Sequence, residues 1–195
     1  EGHFLSAVFQ TDKILFELVQ PTEGGSESVY ASFLKERGEG LYHVCFSFPS
    51  EKEKGAFVSS LKEKGLRVSA LYTEAGTQER ICFDSWDSLG FALEIRSGKD
   101  EGQFTWYPDE YAVPDFRARQ YIRQIGIVVR DNKETMRNFA YYLGIDGWTT
   151  VSFSDRNLND FRIKGKVFDG KYEFLCSVKW IGDIEFELVE PLDGP

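Results

Sequence analysis

Two stretches of this chain, FLSAVFQTDKILFELVQPTEG at residues 4 to 24 and FLCSVKWIGDIEFELVEPLDG at residues 174 to 194, share ten identities over 21 gapless positions at a constant offset of 170. Self-similarity of that strength points to a fold built from copies of one supersecondary unit. A second, weaker echo links LYHVCFSFPSEKEKGAFVSSLKEKGL (41 to 66) with IRQIGIVVRDNKETMRNFAYYLGI (122 to 145). In both, a strand of period two gives way to a polar start signal and then a helix of period 3.6. Ser50 and Asp131 suit the N-cap, where a side-chain oxygen accepts from an early helical N–H. Gly65 and Gly144 suit the helix C-terminal position that requires positive φ.

Three further strand candidates follow each helix: 66 to 73, 79 to 86 and 90 to 96 in the first case, and 148 to 154, 172 to 180 and 183 to 190 in the second. The expected class is α+β, made of repeated βαβββ modules. Residues 1 to 21 read as the last two strands of a truncated module and 22 to 39 as a linking helix. Residues 40 to 97 read as a complete module, 98 to 118 as a connector with two prolines and no clear period, and 119 to 195 as a second complete module.

Composition narrows the function. The formal net charge is −9, from 32 acidic and 23 basic residues, which repels a phosphate backbone and argues against a nucleic-acid partner. No apolar run approaches the roughly 20 residues that cross a bilayer, so no membrane role is expected. Three cysteines, Cys45, Cys82 and Cys176, lie singly inside hydrophobic runs with no CxxC, the pattern of reduced core thiols in a cytoplasmic protein. The 17 Phe, 9 Tyr and 4 Trp read first as core and only second as the lining of an apolar substrate cleft.

FELVQP, then SVYASFLKERGEGLYHVCFSF, and later QIGIVVRDNKETMRNFAYYLGI together resemble the vicinal oxygen chelate superfamily, which includes glyoxalases, bleomycin-resistance proteins and dioxygenases. The resemblance is nearest to methylmalonyl-CoA epimerase-like members, although Tyr42 stands where the epimerases often have the first histidine of a pair. It implies paired modules forming a glyoxalase-like incomplete barrel around a divalent metal, held by inward side chains of the first and last strands. By that resemblance the metal ligands are His43 and Glu94 of the 40 to 97 module, Gln124 and Glu187 of the later module, and Glu17 of the truncated one. Two pairings are compatible with that set: the 40 to 97 module with the fragment before it, or with the 119 to 195 module.

Carboxylate, amide and imidazole ligands suit Zn, Ni, Co or Mn with open positions for substrate. Such a metal ion stabilises an enediolate when a proton leaves the carbon beside a carbonyl, and a ligand glutamate, Glu94, is the expected base. The resulting expectation is a metal-dependent isomerase or lyase, epimerase-like or glyoxalase I-like, acting on a small molecule. A metal-free ligand-binding protein is the alternative. An extradiol-type dioxygenase ranks third, because it needs two histidines beside a carboxylate, and of the two histidines His3 falls at no repeated place. A glutamate ending an apolar strand can also be a solvated edge residue, but Glu17 and Glu187 recur at one repeat position. The open edges of a half module favour a homodimer.

Overall fold

A computed structural model describes residues 4–10, 14–22, 28–73, 79–98 and 122–194; His3 and nearly all of the expected connector lie outside them. The elements run β1 (Phe4–Gln10), β2 (Leu15–Pro21), α1 (Val29–Arg37), β3 (His43–Phe48), α2 (Glu51–Glu63), β4 (Arg67–Thr73), β5 (Glu79–Asp84), α3 (Trp86–Leu89) and β6 (Ala92–Ser97). They continue with β7 (Gln124–Val128), α4 (Asn132–Asn138), β8 (Thr149–Ser154), β9 (Arg162–Ile163), β10 (Lys166–Val167), β11 (Glu173–Ile181) and β12 (Ile184–Asp193). The chain is α+β with mixed sheets and little helix. It divides into two compact units, one reaching Ser85 and resuming from Phe91 to Ile122, the other made of Trp86–Gly90 and everything from Arg123. Among the described residues no helix is long and apolar enough to cross a membrane.

The first unit holds the antiparallel β1–β2 hairpin and a four-stranded sheet of order β3-β6-β5-β4. Parallel pairing of β3 with β6 sets His43 opposite Ala92 and Cys45 opposite Glu94; antiparallel pairing of β5 with β6 sets Cys82 opposite Glu94. Because strand side chains alternate between faces, this register sorts the sheet. Val44, Phe46 and Phe48, with Ile81, Phe83, Leu93, Ile95 and Ser97, share the face that α2 covers. Phe48 packs on Phe57 of α2 with ring centroids 4.9 Å apart, and the Ser97 hydroxyl donates to Glu51 at the start of that helix. Phe83, Leu93, Ile95 and Leu61 are fully buried there. His43, Cys45, Arg80, Cys82 and Glu94 are thereby left on the opposite face.

Helix α2 begins where the sequence reading put it. Ser50 Oγ accepts from the Glu53 N–H at 3.2 Å and donates to the Glu53 carboxylate at 2.9 Å, a reciprocal cap. Lys54, only 3% exposed, reaches out to Glu51 at 2.8 Å, so its charge is not left unpaired. That contact, then the Ser97 hydroxyl, holds the Glu51 carboxyl below its usual range. A depressed carboxyl favours the fold above the unfolded pKa and loses that contribution as pH falls through the folded value.

The second unit repeats the strand order, β7-β12-β11-β8, with β7 parallel to β12 and its neighbours antiparallel. Asp131 caps α4 by accepting from the Glu134 N–H at 2.7 Å, and Gly144 ends the helical segment at φ 70°. Between them the helix widens to a π turn over Phe139–Leu143, a departure from the uniform helix the period implied. Phe139 is fully buried, its ring 5.1 Å from Trp148 and 6.3 Å from Phe186. The structure also adds α3 where the expected strand would have run on to residue 86, and the small β9–β10 hairpin.

Truncating Phe139 removes a fully buried ring from this core. Phe139→Ala is expected to cost about 3–5 kcal/mol, read as a lowered midpoint in chemical denaturation of the transition that reports on Trp148.

Candidate functional site

Three expected site residues meet in the first unit. The β3 strand starts at His43, whose Nε2 lies 3.8 Å from Glu17 Oε2 and 3.9 Å from Glu94 Oε2. Glu94 sits in the middle of β6, fully buried, because its neighbours Leu93 and Ile95 belong to the core on the other face. Glu17 sits on the less exposed side of β2, whose alternate residues Phe16 and Leu18 point out. A run of edge-to-face aromatic contacts joins these elements: Phe4 of β1 to Tyr30 of α1 at 5.2 Å, Tyr30 to Tyr42 at 4.9 Å, and Phe33 to Tyr42 at 5.3 Å. Tyr42 immediately precedes His43, so the cluster seats the hairpin, the helix and the head of β3 together. Burial, and then neighbouring negative charge, pushes the Tyr42 phenol upward, so it stays protonated.

Within the first unit, the β1–β2 hairpin thus meets the 40 to 97 segment through Glu17. Gln124 and Glu187 lie in the second unit. Gln124 is exposed at the start of β7 opposite Glu185, and half-buried Glu187 stands opposite Gly126. Gly126 leaves open the space beside Glu187, whose Oε2 would come 3.6 Å from a Cβ placed there.

One participant escaped the sequence reading. Arg80 of β5 is 7% exposed, and its Nη1 lies 3.4 Å from Glu17 Oε2 and 3.5 Å from Glu94 Oε1, bridging the two acids. The Ser6 hydroxyl donates to Glu17 Oε1 at 2.6 Å, and the Cys82 thiol donates to Glu94 Oε2 at 3.5 Å. The signal that marks Arg80 is parity: it shares a sheet face with Cys82 and Glu94, an inward place for a cation. His43 Nδ1 is buried without a hydrogen-bond partner among the described residues, and the ring stands edge-to-face on Tyr42 with centroids 5.7 Å apart.

Two carboxylates and an imidazole are the right donor types for a divalent metal, but their arrangement does not fit one. Bonds of about 2.1 Å would draw the donors to about 3–3.5 Å of one another, closer than the His43 distances, and a guanidinium already lies against both acids. Among the described residues no group of three or more His, Cys, Asp or Glu side chains is disposed to hold a metal ion. What the arrangement offers is a carboxylate pair for proton removal beside N–H donors for a developing negative charge.

No family model and no curated protein matches the chain. Solved structures do. A mutant of 4-hydroxymandelate synthase from Streptomyces coelicolor superposes with a TM-score of 0.60 at 10% identity, over 97% of this chain and 53% of that one. The chain therefore spans about half of that protein's length, and at this identity the likeness is one of fold. A glyoxalase family protein from Enterococcus faecalis gives a TM-score of 0.34 at 15% identity over 78% of this chain and 98% of that one. A hypothetical protein from Bacillus halodurans gives 0.40 at 20% identity over 52% and 71%.

Two of the three thiols are held protonated. Burial, then the Glu94 charge, pushes the Cys45 thiol well above its usual range, and burial with Glu187 pushes Cys176 up to about 12. Since the thiolate is the reactive form, neither thiol is expected to react with a disulfide reagent at pH 8 in the native protein. All three cysteines should react in denaturant; rapid native labelling of Cys45 or Cys176, located by peptide mass, contradicts this.

Proposed function

We propose that the first unit carries a proton-transfer site for a small carbonyl compound, an isomerase- or lyase-type reaction on the carbon next to the carbonyl. The observation that carries the reading is the convergence of Glu17, His43 and Glu94 from strands far apart in the sequence. Glu17 is the better-placed base: its side chain is 10% exposed against 1% for Glu94. Its carboxylate takes the proton, the C–H electron pair becomes the new C=C bond as the carbonyl π pair moves onto oxygen, and the enolate is stabilised by N–H donors at Arg80 and, when protonated at Nε2, His43. Return of the proton from Glu17 to carbon completes an isomerisation. Glu94, fully buried, holds Arg80 and His43 in place.

The divalent metal implied by the family resemblance supplies no step here, because Arg80 lies between its would-be ligands. A second reading, a metal-free ligand-binding protein, is supported by the same ion pairs, which engage both acids.

Solvent deuterium incorporation into a 2-substituted acyl thioester, followed by mass spectrometry, separates the readings. Exchange is expected with the unaltered protein and is expected to fall by at least about 100-fold in Glu17→Gln, the scale of a lost general base. Binding without exchange supports the binder, and exchange unaffected by Glu17→Gln rules out the assigned base.

A further inference from the structure

The register of the three long hairpins identifies a position that links them. In β1–β2, Val8 faces Glu17 and Ser6 stands two residues before Val8; in β11–β12, Val178 faces Glu187 and Cys176 stands two before Val178. In β5–β6, Cys82 faces Glu94 and Arg80 stands two before Cys82. Ser6, Cys176 and Arg80 therefore occupy one structural place, diagonal to the glutamate of their own hairpin and on its face. All three engage that glutamate: Ser6 by its hydroxyl, Cys176 by its thiol and Arg80 by its guanidinium. Only Arg80 brings a permanent charge, and it alone reaches a second glutamate, Glu17, from another hairpin.

We propose that the Arg80 guanidinium stands in for a divalent cation between Glu17 and Glu94, making this a metal-independent site. The inference deepens the proton-transfer reading, in that it uses the same three residues and assigns the positive charge among them. One guanidinium already lies between the two acids, 3.4 Å from Glu17 Oε2 and 3.5 Å from Glu94 Oε1. A dication added at this spot would face a guanidinium that cannot deprotonate, at a distance where like charges repel strongly. Expelling Arg80 would take from the fully buried Glu94 the guanidinium that lies 3.5 Å from its Oε1, and weakening the compensation of a buried charge is destabilising. A substrate consequence follows. A guanidinium binds oxygen by donating N–H groups and not by chelation, so the site does not require a substrate with a vicinal pair of oxygens.

The test is metal binding by the full chain, independent of turnover. Purified wild type and Arg80→Gln are titrated with Co(II), followed by visible absorption and calorimetry, with circular dichroism as the check on folding. Wild type is expected to carry no stoichiometric metal and to bind Co(II) weakly. Arg80→Gln should bind one equivalent at least about tenfold more tightly, and adding Glu17→Gln should abolish the gain. Stoichiometric metal in wild type overturns the proposal, as does an Arg80→Gln protein that folds but binds no Co(II). Should Arg80→Gln fail to fold, wild type and Arg80→Lys decide: the lysine keeps the charge, so both should remain metal-free, and stoichiometric metal in either overturns it. A metal-free protein that shows no deuterium exchange leaves Arg80 in its assigned place and removes the enzymatic reading instead.

Discussion

The constraint on which the first unit depends is the compensation of one buried charge. Glu94 is fully buried in the centre of a four-stranded sheet, flanked in sequence by core residues Leu93 and Ile95. Such a carboxylate is tolerated only when its oxygens are engaged by opposite charge and hydrogen-bond donors. Arg80 and Cys82 come from the adjacent strand, and His43 from the other side. Glu17, arriving on a separate hairpin, then shares the same guanidinium. The chemistry of the site and the seating of the hairpin are thus one electrostatic arrangement.

What allows a polar cluster at the centre of a sheet is the division of labour between its faces. Helix α2 covers the odd-numbered residues of β5 and β6, where Phe83, Leu93 and Ile95 supply the apolar burial that stabilises the unit. The even-numbered residues Arg80, Cys82 and Glu94 are free of that duty. The second unit divides in the same way. Phe186 and Leu188 lie on the side that packs with Phe139, while Glu185 and Glu187 share the other face with Gln124 and Gly126.

Much of this was legible in the sequence, for identifiable reasons. Period-two runs marked the strands because each sheet has one face under a helix, and Ser50, Asp131 and Gly144 marked helix ends through backbone chemistry that acts locally. His43, Glu17 and Glu94 are singled out by the family resemblance, helped by the place of His43 at the head of an alternating run and by the recurrence of Glu17 as Glu187 at one repeat position. Arg80 is not, for a geometric reason. Ser6 precedes Glu17 by 11 residues and Cys176 precedes Glu187 by 11, but Arg80 precedes Glu94 by 14, because helix α3 is inserted between β5 and β6. The insertion breaks the sequence offset while leaving the cross-strand register intact, so the equivalence exists only in the paired strands. The π turn after α4 was equally hidden, since FAYYL carries the same apolar pattern in either helical winding.

The three glutamates also show how the fold matches partner to environment. Glu17, with its side chain 10% exposed, takes a serine hydroxyl from its own hairpin. Half-buried Glu187 takes a thiol whose proton is held so firmly that Cys176 titrates only near 12. Fully buried Glu94 takes a guanidinium. A neutral donor contributes about 1 kcal/mol where water still shares the solvation, but it cannot offset the several kcal/mol that full desolvation of an ion costs. Burial of Glu94 is therefore what demands a cation at position 80, and Glu17, which shares that guanidinium, can keep serine at the matching place of its own hairpin. Had the cation been supplied by a metal shared among Glu17, His43 and Glu94, the strand-mate of Glu94 would have had no need to differ from Ser6 and Cys176.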